Sequence, residues 1–263
     1  MRLSRLSTTA LLASFLVAGH CSAGDYSAAS EEASPFSATV GAVSQYVSRG
    51  IRQSWDRPAV QAGVDYAGPR GWSAGAWASS IDERFVENGS VELDLYGGYA
   101  GTAGPLGYNA TLTWYKYPGA RVSATGTSYD YGEVQAGLSW KSLYAKYNYT
   151  FSRDFFGIQD ARGTGYLDVG ANHDLGHALA LQLHAGDGRV AGAGNGIWDW
   201  RDLRAGLSKK FEGGWVAALN YTRAFGAAGV YDRYTTGVPR ADGRPAFANV
   251  ARRALVLSLT RTF

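Results

Sequence analysis

The sequence predicts an all-β protein: a single antiparallel transmembrane β-barrel of about 12 strands, with short periplasmic turns and long extracellular loops. Three observations lead to this fold class. Segments of alternating apolar and polar residues recur along the chain, the links between them are short and long in turn, and aromatic residues recur at one end of the strands.

The final segment, 255–263, carries the alternation most clearly. Leu255, Leu257, Leu259 and Phe263 share one face, because successive side chains of a strand point to opposite faces. The last strand of an outer-membrane barrel pairs with the first, with one face in lipid and aromatic residues at the interface. An amphipathic edge strand of a soluble domain is the alternative interpretation of this segment alone.

The beginning of the chain has the pattern of a secretory signal peptide. Arg2 and Arg5 form a basic start, residues 8–18 are mostly apolar, and small residues follow Cys21. The apolar run is shorter than the roughly 20 residues that a membrane-spanning helix needs. Lipidation of Cys21 is an alternative, but the residue before it is larger than lipidation signals accept.

We therefore expect a signal peptide (1–23), a mobile periplasmic leader (24–35) and an outer-membrane β-barrel (36–263). The chain has 25 Lys and Arg residues, two of them in the signal peptide, so 23 remain against 22 Asp and Glu. This nearly neutral balance argues against nucleic acid as a partner, since nucleic-acid binding needs a basic surface. Removal of the signal peptide also removes the single cysteine, which excludes disulfides.

Alternating segments bounded by turn residues predict the strands. We expect them to begin near Phe36, Pro58, Gly71, Gly89, Gly107, Asp130, Leu143, Gly165, Ala178, Trp198, Gly214 and Val250.

The links between these segments predict the orientation of the barrel. Links such as 68–71, 141–142 and 212–214 are short, whereas 118–129 and 226–249 are long. Short turns on one side and long loops on the other are typical of bacterial outer-membrane barrels, in which the short turns are periplasmic. An even number of strands then places both ends of the barrel on the periplasmic side.

One face of the predicted strands is apolar between its ends, as in Val60, Val64, Leu93, Leu95 and Leu138. Aromatic residues of the same parity recur at the periplasmic end, which is typical of an interfacial girdle. The predicted girdle consists of Phe36, Tyr66, Trp72, Tyr99, Tyr108, Trp140, Phe211, Trp215 and Phe263.

The opposite face is polar and predicts the lining of a lumen. A buried protein core cannot hold so many charged groups without partners, whereas water and ion pairs inside a lumen satisfy them. Acidic residues on several strands and basic residues on others predict a lumen with acidic and basic walls. The predicted lining residues are Asp65, Glu92, Asp94, Glu133, Lys146, Asp168, His184, Asp202, Arg204 and Arg252.

Short motifs spread over most of the mature chain are shared with a known family. They lie at 43–54 (Val-Ser-Gln-Tyr-Val-Ser-Arg-Gly-Ile-Arg-Gln-Ser), 58–63, 92–99, 117–119, 155–157 and 165–167. These motifs resemble those of the TorF-type porins. The resemblance implies an outer-membrane barrel with a channel function, and it supplies no catalytic or substrate-contact residue.

The remaining candidates for chemistry are weak. His173, His177 and His184 show neither the spacing of metal ligands nor a partner set for a nucleophile, so we expect no enzyme, no metal and no cofactor. His184 has lumen-facing parity, which favours a hydrogen-bonded structural role. The Gly-rich stretch 186–196 lacks the helix of a phosphate-binding loop and indicates a flexible outer loop.

Two outer segments leave alternatives open. Arg49, Arg52 and Arg57 either attract anionic solutes or lipopolysaccharide phosphates, or are solvated loop charges, which is the preferred interpretation. The longest loop, 226–249, either folds into or over the mouth and sets the constriction or stays disordered outside. Its rings and charges are Tyr231, Arg233, Tyr234, Arg240 and Arg244.

The predicted function is passive diffusion of small polar or charged solutes through a narrow charged lumen, since about 12 strands enclose less space than the wide porins. The alternative is a closed structural or interaction barrel whose extracellular loops form a binding surface. The expected partners are outer-membrane lipid and lipopolysaccharide, small solutes, and the barrel assembly machinery, which would engage the C-terminal strand ending in Phe263.

Overall fold

The computed structural model describes residues 34–239 and 241–263. Within them, twelve strands form one closed antiparallel barrel, which confirms the predicted fold class. The predicted signal peptide and all but the last two residues of the predicted leader lie outside the described residues. Among the described residues, no helix is long and apolar enough to cross a membrane.

The strands are numbered in chain order, and all except the short pair β2 and β3 belong to the barrel. Their bounds are β1 Phe36–Val43, β2 Val47–Ser48, β3 Ile51–Arg52, β4 Ala59–Ala67, β5 Trp72–Ser80, β6 Val91–Ala103, β7 Leu106–Lys116, β8 Tyr131–Trp140, β9 Leu143–Thr150, β10 Gly165–Gly176, β11 Leu179–Arg189, β12 Trp200–Lys210, β13 Trp215–Gly226 and β14 Ala254–Thr262.

The barrel closes between its first and last strands. β1 pairs with β14, and the pairing continues to Phe263, whose backbone N–H donates to the Ala38 carbonyl at 2.8 Å. Arg261, on the outward face, lies over the rings of Trp215 and Phe263 at 5.4 and 4.5 Å. Closure leaves neither terminal strand with an unpaired edge, which is the condition for crossing a bilayer with strands.

Tight turns and long loops alternate around the barrel as predicted. His177 and Ala178 form the whole link between β10 and β11, and both have positive φ (51° and 61°), as a type I′ turn requires. Most predicted strand starts lie within two residues of the observed ones. The predicted start of the last strand at Val250 is wrong by four residues, because β14 begins at Ala254.

The two faces of the wall differ as a membrane barrel requires. Outward side chains such as Val60, Leu112, Leu138, Leu255 and Leu257 are more than half exposed although they are apolar. Inward residues are mostly polar or small near the short turns, and they are more deeply buried and partly aromatic towards the end that carries the long loops. The loops cover this end of the lumen, and a segment between β1 and β4, which the sequence did not predict to enter the barrel, fills part of it.

Candidate functional site: the lumen and its inward hairpin

A short hairpin between β1 and β4 folds into the barrel. This lumen hairpin (44–57) contains β2 and β3, joined by Arg49 and Gly50 at positive φ (47° and 77°). These angles suit a type I′ turn, and Gly is favoured there. The Ser54 hydroxyl accepts a hydrogen bond from the Tyr46 backbone N–H at 2.8 Å and closes the base of the hairpin.

The tip of the hairpin packs against β12 and β13. The indole N–H of Trp200 donates to the Arg49 carbonyl at 3.0 Å. A Cβ atom placed on Gly50 would lie 2.5 Å from the Cβ of Asp202 and 2.9 Å from that of Ala224. The tip therefore has no space for a side chain at position 50, and the hairpin crosses the lumen in contact with the wall.

Arg49 extends this contact to the part of the wall that lies nearly opposite β1. Its guanidinium donates two hydrogen bonds to the Glu133 carboxylate on β8, at 2.9 and 2.5 Å, and its Cζ lies 4.6 Å from the centre of the Tyr166 ring on β10. The paired N–H donors of a guanidinium match the two oxygens of a carboxylate, and its planar cation stacks on an aromatic ring. The Arg49 guanidinium thus ties the hairpin to two strands across the lumen.

The preferred interpretation of the arginine trio is wrong for two of its members. Arg49 and Arg52 lie inside the barrel, and the side chain of Arg52 is 2% exposed and donates to the Asn249 carbonyl. Arg57 is 68% exposed, as expected for a solvated loop charge. The hairpin carries the first two arginines inward, while the third remains at its base.

A wall of buried carboxylates faces the hairpin. Glu92 and Asp94 on β6 and Glu133 on β8 are each at most 2% exposed. The Tyr117 hydroxyl donates to Glu92 Oε1 at 3.0 Å. Among the described residues, Glu92 Oε2 and both carboxylate oxygens of Asp94 have no hydrogen-bond partner. We call Glu92, Asp94 and Glu133 the acidic wall.

A second polar cluster surrounds His184 on β11. Its Nδ1 lies 2.7 Å from Asp168 Oδ1, and its Nε2 lies 2.7 Å from Asp202 Oδ2. The Tyr166 hydroxyl donates to Asp202 at 2.8 Å. Two carboxylates hold the imidazole ring from both sides, and a structural role of His184 stays a prediction.

The other predicted lining residues lie at several levels. Asp65 accepts a 2.5 Å hydrogen bond from the Tyr96 hydroxyl, Lys146 is paired in register with Asp168, and Arg204 is paired with His184. Arg252 differs from the prediction: it precedes β14, is exposed, and donates to Asp56 at 2.7 Å. The wrong strand start explains this difference, and pore lining by the other residues remains a proposal.

The predicted girdle residues lie near the short turns and are partly exposed. Phe36 packs on Tyr66 with ring centres 5.0 Å apart, and Tyr99 lies 5.2 Å from Trp72 and 6.3 Å from Tyr108. Trp140, Phe211, Trp215 and Phe263 are exposed at the same end. Contact of this belt with lipid headgroups remains a prediction.

The loop that joins β13 to β14 folds over the opposite end of the barrel. The Tyr231 hydroxyl donates to the Trp198 carbonyl at 2.6 Å, and the Tyr234 hydroxyl donates to the Phe85 carbonyl at 2.7 Å. Burial raises the pKa of Tyr234 well above its usual range. Of the charges predicted here, Arg240 lies outside the described residues.

An apolar cluster fills the outer half of the lumen beneath these loops. It joins loop residues to inward residues of the strands and to the lumen hairpin. Its larger members are Ile51, Phe85, Tyr115, Tyr117, Tyr129, Tyr131, Phe155, Tyr166, Trp200 and Tyr231.

Another loop contact at this end is ionic. Burial opposes ionisation of Asp82, but hydrogen bonds donated by Arg84 outweigh it and hold the pKa of Asp82 below its usual range.

Among the described residues, no group of three or more His, Cys, Asp or Glu side chains is placed to hold a metal ion.

Comparison with known protein families identifies one family that the sequence matches. A family model described as a bacterial protein of unknown function (Gcw_chp) matches residues 27–263. The chain belongs to the Gcw_chp family. A search among curated proteins finds no match for this Gcw_chp protein.

Solved porin structures share the fold of this family member. The KdgM porin in complex with disordered oligogalacturonate is 7% identical, with a TM-score of 0.51, and the match covers 86% of this chain and 99% of that one. The NanC porin is 11% identical, with a TM-score of 0.52 and a coverage of 86% and 98%. At this identity the likeness shows the porin-like fold alone.

Proposed function

We propose that the protein is an outer-membrane channel of the TorF-type porin class, through which small polar or charged solutes diffuse passively. The observation that carries this proposal is the closed barrel with apolar residues on its outward face and charged residues from several strands on its inward face. Such a wall isolates an aqueous path from lipid. The porin-like fold of two solved structures supports the same class of function.

The lumen hairpin makes this channel narrow and gated. Inward residues of the half near the short turns, such as Asp65 and Lys146, are partly exposed, whereas Asp94, Glu133 and Asp202 in the other half are buried beneath the hairpin and the loops. A solute that passes must therefore displace the hairpin or move around it. The hairpin would then set the constriction, which was one of the two roles considered for the 226–249 loop, and that loop would cover the mouth above it.

Liposome swelling tests the channel directly. Vesicles that contain the purified full-length chain should admit small neutral solutes, such as glycine and arabinose, faster than empty vesicles, and larger sugars should be excluded. Equal swelling rates with and without protein, in vesicles shown to hold the folded barrel, contradict the proposal.

The filled outer half favours a second candidate, a closed barrel whose loops bind a partner. In that case, deletion of the loops would abolish partner binding while the membrane stays impermeable. In neither case does the protein act as an enzyme, and neither function needs a cofactor. Lipopolysaccharide and outer-membrane lipid would surround the barrel, and the assembly machinery would engage the C-terminal strand.

A further inference from the structure

The acidic wall contains more carboxyl groups than the hairpin pairs with. Arg49 is hydrogen-bonded to Glu133, but Glu92 Oε2 and both oxygens of Asp94 lack a hydrogen-bond partner among the described residues. Asp94 is fully buried and Glu92 nearly so. Buried ionised carboxylates are costly unless a positive partner is present. The wall is therefore suited to take up positive charge.

Aromatic side chains complete this part of the lumen. Tyr115 on β7 is paired in register with Asp94 on β6 and with Tyr131 on β8, and its ring stacks on that of Tyr131 with centres 4.4 Å apart. Tyr46, on the hairpin, is 1% exposed, and its hydroxyl lies close to Glu92. Carboxylates next to aromatic rings are the groups that bind organic cations.

The hairpin already presents one such cation to the wall. The Arg49 guanidinium forms the paired hydrogen bonds with Glu133 and the ring contact with Tyr166 that a free guanidinium would form at this place. Because the hairpin is not part of the barrel sheet, its guanidinium can leave without breaking the hydrogen bonds between the strands of the wall. Arg49 thus resembles a tethered ligand.

We propose that the acidic wall and its tyrosines form a binding site for organic cations that carry a guanidinium or primary ammonium group, and that Arg49 occupies part of this site until a solute replaces it. This inference rests on the proposed channel function and names its substrate class. The incoming cation pairs with Asp94 and Glu92, competes with Arg49 for Glu133, and so releases the hairpin tip.

Binding can be measured without transport. The probe is n-propylguanidinium, which reproduces the arginine side chain, and n-propylurea is its neutral counterpart of similar shape. The guanidinium should raise the thermal unfolding temperature of the detergent-solubilised full-length protein, and the urea should not. Arg49→Gln should bind the guanidinium at least fivefold more tightly, because the tethered competitor is gone.

Transport gives the second measurement. Liposomes that contain the wild-type protein should admit n-propylguanidinium about tenfold faster than n-propylurea. The double variant Glu92→Gln/Asp94→Asn should lose most of this preference. The matched control is Asp174→Asn/Glu212→Gln, which removes one carboxylate of each type near the short turns. This control should keep the wild-type ratio.

The outcomes separate this inference from the channel itself. Equal entry of both solutes, or an equal loss of preference in the control, overturns the cation site but leaves the channel intact. A thermal shift with calcium and none with n-propylguanidinium overturns it in favour of a metal site. A guanidinium-specific shift in a protein that admits neither solute supports the site and overturns the channel.

Discussion

A side chain at Gly50 should release the lumen hairpin from the wall. Gly50 has a φ of +77°, and a Cβ atom there would lie 2.5 Å from the Cβ of Asp202 and 2.9 Å from that of Ala224. The left-handed conformation costs alanine about 1–2 kcal/mol. Overpacking against two fixed Cβ atoms adds about 1–3 kcal/mol. Gly50→Ala should therefore destabilise the docked hairpin by about 2–5 kcal/mol.

This loss of free energy is large enough to change the fraction of molecules in which the hairpin is docked. At 1.4 kcal/mol per tenfold, about 2 kcal/mol corresponds to a roughly 30-fold shift from docked to undocked hairpin. Single-channel recording in planar bilayers should show a higher conductance or a larger open fraction for Gly50→Ala than for wild type. The barrel should stay folded, because the hairpin lies outside the barrel sheet.

Gly237→Ala is the matched control. Gly237 also has a left-handed φ, +85°, but a Cβ atom there would have no neighbour within 4 Å among the described residues. This variant carries the backbone strain without the clash and should conduct as wild type does. If the recordings of Gly50→Ala match those of Gly237→Ala and wild type, the hairpin does not restrict the lumen.

Three further predictions concern the wall and the outer loop. Ala178→Gly should stabilise the barrel by about 0.5–1 kcal/mol in urea titrations in lipid vesicles, since relief of the left-handed cost of about 1–2 kcal/mol exceeds the entropy that glycine adds to the unfolded chain. The control Ala180→Gly, within β11, should instead destabilise the barrel. A loss of stability in both variants would refute the turn geometry. Leu257→Arg, on the outward face near the middle of β14, should lower the free energy of unfolding by about 2–4 kcal/mol in the same titrations. The inward Ser258→Arg should lower it clearly less, and equal losses would refute the assignment of the two faces. Shortening the 226–249 loop should raise single-channel conductance, because its Tyr231 and Tyr234 cover the mouth, and an unchanged conductance would show that the loop does not restrict the path.

The barrel could be predicted because its signals are local and repeated. Alternation in segments such as 255–259 fixes which side chains face lipid, and turn residues fix where strands end. The predicted start of β14 is wrong because Val250 and Ala251 are apolar, as in a strand, but pack into the apolar cluster beneath the loops. Periodicity cannot distinguish an apolar residue facing lipid from one beneath a loop.

The site was predicted only in part, since it depends on long-range contacts. The carboxylates of the acidic wall follow from parity, but their closeness to Arg49 does not, because Arg49 and Glu133 are 84 positions apart. One signal was available: Arg49-Gly50 between Val47-Ser48 and Ile51 has the form of a tight hairpin within a supposed loop. This pattern favours a tight hairpin over a solvated loop.

The central claim is that the lumen is a conducting path, and single-channel recording of the wild-type chain in planar bilayers tests it most directly. We predict small, reproducible conductance steps, because the hairpin and loops fill the outer half of a charged lumen. A protein that is shown to be folded and inserted but produces no steps under any voltage or salt would contradict the claim and favour the closed barrel.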